Sequence, residues 1–271
     1  MSRDRLHRRD LLKTLAALGG LGSLGALAVL DRDRLSSQPR FRAVLDDANS
    51  LTYRAQRLAL GADRLAPEYS EADISPVFRA NGSTDPQDDA YLDLVDNHFA
   101  DWRLRVDGLV RHNLSLSLAE LRALPARTQI TRHDCVEGWS CIGKWTGVPL
   151  SVILSRAVVR PEARFVVFHC ADTLDDGSDG GLGADPDSIR YYESIDLLDA
   201  AHPQTILAYD MNGSPLTIPH GAPLRLRLER QLGYKMAKYV MRIELVRSFA
   251  QLHGGRGGYW EDRGYEWYAG I

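Results

Sequence analysis

The chain has 271 residues, 44% of them hydrophobic and 25% charged, with a formal net charge of -3. These proportions exclude a fibrous chain, a disordered chain and a polytopic membrane protein, and the length admits one large domain or two small ones. The charge advertises no nucleic-acid footprint, and three cysteines are too few for a disulfide scaffold.

Arg8-Arg9-Asp10-Leu11-Leu12-Lys13 precedes a charge-free stretch from Thr14 to Leu30, and Ala26-Leu27-Ala28 offers a small-x-small cleavage site. This three-part pattern is that of an export signal, and its arginine pair resembles the twin-arginine signal of bacteria. The competing reading is a membrane anchor. The span is about the minimum for one, but its glycine load weakens a helix. A signal peptide over 1–28 is the expectation, with retention as an anchor the alternative. Its removal leaves 28 basic and 34 acidic residues, a charge near -6, which suits a soluble chain indifferent to anionic lipid. Resemblance to known signals implies handling by the twin-arginine export machinery, whose passengers fold and take up bulky cofactors before export. Gly20-x-Gly22-x-x-Gly25 matches the dinucleotide fingerprint, but it lies inside the signal with no strand before it, and carries nothing.

From Asp31 to about Asp89 the pattern is polar and mixed, with a turn cluster at Asn81-Gly82-Ser83-Thr84-Asp85-Pro86. Residues 29–90 are read as an extension that wraps a main domain over 91–250. There, Trp102, Leu104 and Val106 alternate with Arg103, Arg105 and Asp107, predicting a half-buried strand that ends at Asp107-Gly108. Ser117-Leu118-Ala119-Glu120 is a capping box opening a short helix. Thr128 to His133 reads as a strand delivering Asp134 and Cys135 to its end. Pro149 starts a helix to about Ala157, and Phe165 to Cys170 is a buried strand. Asp196 to Ala201 is a short helix. Leu207 and its neighbours meet an Asn212-Gly213 turn, and Leu224 to Leu228 and Tyr239 to Val246 are further strands. Many short strands with few short helices predict a mixed, strand-heavy α+β domain.

Cys135 sits in His133-Asp134-Cys135-Val136-Glu137-Gly138-Trp139-Ser140-Cys141, where a strand end can present one thiolate to a cofactor. Spacing alone favours a buried structural thiol. Zinc is a rival, with His133, Cys135, Cys141, His169 and Cys170 as candidate ligands. Yet no Cys-x-x-Cys pair is present, and His-Cys neighbours on one strand point to opposite faces. A Cys135–Cys141 disulfide is a third option in an oxidising compartment, and would deny Cys135 to any metal. A second constellation is Pro219-His220-Gly221-Ala222-Pro223-Leu224-Arg225. Gly221 permits close backbone approach, and Arg225 offers a donor fork suited to phosphate. In Gly233-Tyr234-Lys235-Met236-Ala237-Lys238, two lysines flank backbone N–H groups able to hold an anion. Taken alone, these are a turn with solvated charges and a structural histidine.

Their order is more specific. Cys135-Val-Glu-Gly-Trp-Ser, Trp145-x-Gly-Val-Pro-Leu, Tyr191-x-x-Ser-Ile, His202-Pro-x-Thr, His220-Gly-x-Pro-x-Arg and Gly233-Tyr-Lys-x-x-Lys follow one another. This succession, spanning roughly Tyr91 to Val246, resembles the molybdopterin-binding domain of the sulfite oxidase family. It is most similar to the twin-arginine-exported bacterial branch, which includes the catalytic subunit of the periplasmic protein-methionine-sulfoxide reductase. The resemblance implies that Cys135 binds molybdenum and that the pterin dithiolene supplies the other sulfur ligands. Asn97 matches an asparagine that contacts the pterin. Ala100 and Asp101 fall at the next contacts, where a changed residue type implies backbone contacts. Cys170 falls near a threonine contact, His220 matches an asparagine or histidine contact, and Arg225 matches the arginine near the pterin phosphate. Met236, Ala237 and Lys238 match the segment that closes over that phosphate. Tyr191 matches a tyrosine close to the metal, where it positions substrate.

One departure bears on substrate. Sulfite oxidases and assimilatory nitrate reductases carry arginines shortly after the metal-binding cysteine; here the stretch is Val136-Glu137-Gly138-Trp139. An acid and an aromatic disfavour an oxyanion, unless Glu137 faces away as a hydrogen-bond acceptor. The expectation is a molybdopterin-dependent, exported oxidoreductase performing two-electron oxygen-atom transfer on an S-oxide or N-oxide. The alternatives are a sulfite dehydrogenase of the same family and a cofactor-free binding module on this scaffold. No Cys-x-x-Cys-His haem site or iron–sulfur spacing occurs, so a separate electron-transfer partner is expected, a membrane haem or quinone protein. The aromatic tail over 251–271, with Tyr259, Trp260, Trp267 and Tyr268, is expected to pack on the domain; a docking surface for the electron partner is the minor alternative.

Overall fold

The computed structural model describes residues 51–53, 55, 61, 64–174 and 190–271. The expected export signal, and with it the question of cleavage or anchoring, lies outside them. The chain divides into two units, Met1–Gln56 and Arg57–Ile271. Of the first, only four helical residues are described, and the second holds everything that follows.

In chain order the elements are α1 (Asp89–Asp96), β1 (Arg103–Gly108), β2 (Leu114–Ser117), α2 (Leu118–Arg122), β3 (Arg127–Asp134), β4 (Ser140–Pro149) and α3 (Leu150–Ala157). Then come β5 (Phe165–Thr173), β6 (Arg190–Asp196), α4 (Leu197–Ala201), β7 (Ile206–Met211), β8 (Ser214–Pro215), β9 (Arg225–Arg227), β10 (Val240–Val246) and α5 (Tyr259–Asp262). One sheet has the order β2-β1-β10-β5-β6, with β1 parallel to β10 and the other pairs antiparallel. The other runs β3-β4-β7-β8, with β9 also on β7. The fold is thus the expected mixed, strand-heavy α+β arrangement.

Local chemistry explains most boundaries. Leu104 and Val106 are buried on β1 while Arg103 and Arg105 face out. The Ser117–Glu120 capping box is formed, satisfying two backbone donors at the start of α2. Asp196 caps α4 by accepting from Asp199 N. Asn212 and Gly213, both at positive φ, turn β7 into β8, the pair a two-residue hairpin of this hand requires. α1, β2, β4, β6 and α5 were not foreseen. α1 carries three aspartates and is opened by Asp88, which accepts from Tyr91 N. β4 is interrupted in sequence by Gly143, Lys144 and Gly147, and β6 begins with Arg190.

The main core lies on β1, β5 and β10, where Leu104, Val166, Phe168, Ile243 and Leu245 are fully buried; Trp102, just before β1, and Leu121, Leu150 and Ile153 from the helices join it. β3 differs, since its buried face is Gln129, Thr131 and His133. It meets β9 across a polar seam. Residues 64–88 lie along this region: Tyr69 N donates to Ile130 O at 2.9 Å and Ser75 N to Ile142 O at 3.0 Å. Phe78 packs edge-on to Trp145 at 5.2 Å and against His133 at 5.7 Å.

Gly147 marks where β4 and β7 come closest. A Cβ there would sit 2.1 Å from Leu207 O and 2.5 Å from Ala208 Cα, both backbone atoms of the paired strand. Gly147→Ala is therefore expected to cost about 1–3 kcal/mol, read as a lower urea midpoint at unchanged slope.

Candidate active site and cofactor cradle

Cys135 lies in the turn that follows β3. Its N–H donates to Trp139 O and its carbonyl accepts from Gly138 N, each at 3.0 Å. Gly138 takes the positive φ of 82° this turn needs. The thiol is half-buried, and all three cysteines are free. The Cys135–Cys141 disulfide is thus not formed, and Cys141 Sγ instead faces Val77 O at 3.8 Å. Nor do the zinc candidates converge: among the described residues no three His, Cys, Asp or Glu side chains could hold an ion together. His133 turns into the polar seam and His169 pairs with Glu244 at 2.9 Å. Burial pushes the Cys135 thiol above its ordinary pKa, Glu137 adds to that, and a backbone N–H and Arg79 oppose it. A metal that takes the thiolate reverses this preference.

Cys135 opens onto a cavity of about 130 Å³. Val136 and Glu137 continue its wall, Asp172 and Leu174 come from the end of β5, and Tyr191 from the start of β6. The segment between β9 and β10 adds Gly233, Tyr234, Met236 and Lys238, the extension adds Asn81, Gly82 and Ser83, and the tail adds Trp260 and Tyr265. The Tyr191 hydroxyl donates to Tyr234 O, so its one hydrogen is committed within the fold. Asp172 is buried with Oδ1 lacking any hydrogen-bond partner, and burial pushes its carboxyl up to about 7 against the opposing pull of Lys238.

The phosphate-binding expectation rests on Arg225 and Lys238. Arg225 is fully buried; Nη1 donates to His220 O at 3.0 Å, while Nε and Nη2 have no partner. Burial, and then the neighbouring Arg227 charge, lower it to about 9. The Lys238 ammonium donates to the carbonyls of Ser83 and Pro219, and burial with the Arg225 charge lowers it to about 7. Gly221, at φ 99°, sits between them: a Cβ would lie 2.9 Å from Lys238 Cβ and 3.3 Å from Arg225 Cβ. No carboxylate pairs with either cation among the described residues. Two buried cations and two lone donors in one place fit a bound phosphate, which would satisfy both.

The other expected contacts fall less closely together. His220 is held by Thr217 Oγ1 at 2.8 Å and Phe78 O at 3.1 Å, on the turn that Lys238 reaches. Met236 and Ala237 are buried, Met236 on the cavity wall. Asn97, Ala100 and Asp101 follow α1, with Asn97 Nδ2 donating to Asp101 Oδ2 at 2.9 Å and Asn97 Oδ1 buried without a partner. None of these three lines the cavity. Cys170 is buried on β5, and Asp172, two residues on, takes the wall position instead. Asp172 went unnoticed in the sequence because a lone Asp after an apolar strand carries no spacing signal.

Beside the cavity, Lys235 is fully buried and bonds Glu193 Oε1 and Glu261 Oε1, each at 2.5 Å. Burial and the Glu261 charge push the Glu193 carboxyl well above the ordinary range. Removing the cation leaves two buried acids facing each other. Lys235→Met is expected to destabilise by about 3–5 kcal/mol near pH 8. An acid whose pKa is raised on folding adds stability below its folded pKa, so the loss should shrink at pH 5. Urea unfolding at the two pH values checks both.

Comparison with known proteins agrees with this geometry. Residues 91–253 match the family described as "Oxidoreductase molybdopterin binding domain". The "Putative protein-methionine-sulfoxide reductase subunit YedZ1" of Azospira oryzae is 35% identical over 263 residues, 97% of this chain and 87% of that one. The "Protein-methionine-sulfoxide reductase catalytic subunit MsrP" of Xanthomonas campestris is 36% identical over 152 residues, 55% of this chain and 46% of its own. This chain thus spans less than half the length of that relative. Sulfane dehydrogenase SoxCD of Paracoccus pantotrophus aligns at 25% identity with a TM-score of 0.46, over 55% of this chain and 39% of its own. This chain belongs to the molybdopterin-binding oxidoreductase family, and it is an enzyme whose cofactor is molybdopterin.

Proposed function

We propose that the protein reduces S-oxides as the catalytic subunit of a methionine-sulfoxide-reductase system, is exported by the twin-arginine route, and receives electrons from a separate membrane haem or quinone protein. One observation carries the substrate class. Around Cys135 the described cavity wall presents acids and aromatics, Glu137, Asp172, Tyr191, Tyr234 and Trp260, and no arginine; its one cation, Lys238, is turned to the carbonyls of Ser83 and Pro219. Arg79, the nearby cation, is taken up by Glu137 at 3.5 Å and by the Trp139 ring at 5.2 Å. Sulfite or nitrate would meet like charge there, whereas a neutral S-oxide would not. The names of the relatives support the same class. Partner and route rest on the sequence: an Arg8-Arg9 signal and no internal haem or cluster site.

Bound molybdopterin supplies a metal able to exchange two electrons and an oxygen atom with substrate. The chain's own residues do the rest. Cys135 provides the thiolate, and Arg225 and Lys238 hold the phosphate. Removing the oxygen as water consumes two protons. Asp172 is placed to hold one of them at Oδ1, which has no other partner.

Cys135→Ala is expected to abolish turnover, with the metal's absorption spectrum altered or lost. Metal analysis of protein made in a host that synthesises molybdopterin should give about one molybdenum per wild-type chain. A screen of methionine sulfoxide, trimethylamine N-oxide and sulfite then separates the substrates; turnover of sulfite alone would overturn the S-oxide reading. Asp172→Asn is expected to lower kcat by about 100-fold. It should also remove a decline in wild-type turnover as pH rises through about 7, which a kcat–pH profile of both proteins reads directly.

A further inference from the structure

The family match ends at residue 253, yet the cavity wall continues beyond it. We propose that Trp260 and Tyr265, in the tail, select the substrate by gripping the alkyl groups on either side of its sulfur; this rests on the S-oxide reading above.

The tail is built as a fixed wall. The single turn of α5 commits three of its four side chains to the fold. The Tyr259 hydroxyl donates to Leu174 O at 2.8 Å and its ring stacks on Tyr191 at 5.8 Å. Glu261 is buried against Lys235. Asp262 accepts from the Tyr192 hydroxyl at 2.5 Å and from Gly254 N and Arg256 N at 2.9 Å. Trp260 is the fourth. Its indole N–H and the Tyr265 hydroxyl have no hydrogen-bond partner among the described residues, although both side chains line the cavity. The two rings stack at 5.2 Å and 29°, and Tyr234 meets Tyr265 edge-on at 5.2 Å.

Such a pair suits one chemistry. Ring faces attract a polarisable sulfur and its methyl group. They repel a compact oxyanion, because the face of an aromatic ring is negative. A free N–H and a free O–H can donate to the sulfinyl oxygen. Tyr265, 41% exposed, forms the rim, where a longer chain carrying the S-oxide would leave the cavity.

The test uses molybdenum-loaded wild type and W260L, with a methionine-sulfoxide tripeptide as probe. Three quantities are read: steady-state kinetics, the equilibrium Kd of the tripeptide under non-turnover conditions, and molybdenum content. The expected result is a KM and a Kd raised about tenfold in W260L, with kcat changed less than twofold and molybdenum retained. Unchanged KM and Kd would overturn the assignment, and so would loss of molybdenum, which would make Trp260 part of the cofactor cradle. If W260L has a lowered thermal midpoint, Y265L at the exposed rim carries the same expectation and the same refutation. Wild type that binds the tripeptide without reducing it would sink the S-oxide reading alone, and the Kd comparison would still decide the role of Trp260. Wild type that neither binds nor reduces it would sink both.

Discussion

Every lysine and arginine between 225 and 238 is buried: Arg225, Arg227, Arg230, Lys235 and Lys238. A buried cation is tolerated when paired and costly when not, so what each one meets governs how the surrounding elements pack. Arg227 is gripped by Glu229 through two bonds, at 2.7 and 2.9 Å. Arg230 meets Asp199 at 2.6 Å, and Lys235 meets Glu193 and Glu261. These three are settled within the protein and tie β6, α4, the β9–β10 segment and the tail together. Arg225 and Lys238 are not settled by any described carboxylate. Two cations left over in a region so densely paired suit the phosphate contact proposed above.

The same region reaches Cys135 through the polar seam. Arg227 Nη1 donates to His133 Nδ1 at 3.1 Å, and burial with the flanking cations keeps that imidazole neutral and able to accept. Gln129 Nε2 bonds Glu229 Oε1 at 2.8 Å. Arg225 and Arg227 both lie over the Trp145 ring, at 4.9 and 4.2 Å, so β4 also contributes. β3 therefore docks by polar contacts rather than by apolar burial, and its end, which carries the cysteine, is fixed by directional bonds. Such bonds fix the orientation of the Cys135 turn, since hydrogen bonds specify orientation and apolar contact does not.

Much of the scaffold was legible in the sequence, because β1, β3, α2, α3 and α4 announce themselves by alternation, capping residues or proline. α1, β4 and β6 were not, since their aspartates, glycines and arginine obscure the period that burial would impose. The site was legible in part. Cys135, Tyr191, Met236 and Lys238 do line one cavity, and Arg225 stands beside Lys238 across Gly221. Asp172 and the tail aromatics were missed as wall residues for a common reason. Their place depends on strand pairing and on buried ion pairs between distant segments, which no local spacing records. The pairing of Lys235 with Glu193 and Glu261 spans 42 and 26 residues.

β6 shows how tightly these layers are coupled. Its side chains alternate, so Tyr191 and Glu193 share one face while Tyr192 and Ser194 share the other. The first face supplies a cavity wall and a carboxylate for Lys235; the second binds the tail through Asp262, Gly257 O and Trp267 Nε1. Pairing of Phe168 with Glu193 and His169 with Tyr192 sets that division. A one-residue slip would exchange the two faces. It would turn Glu193 away from a fully buried lysine and swing Tyr191 out of the cavity together. The register of a single edge strand thus fixes both the charge balance beneath the site and the aromatic wall above it, and neither can drift without the other.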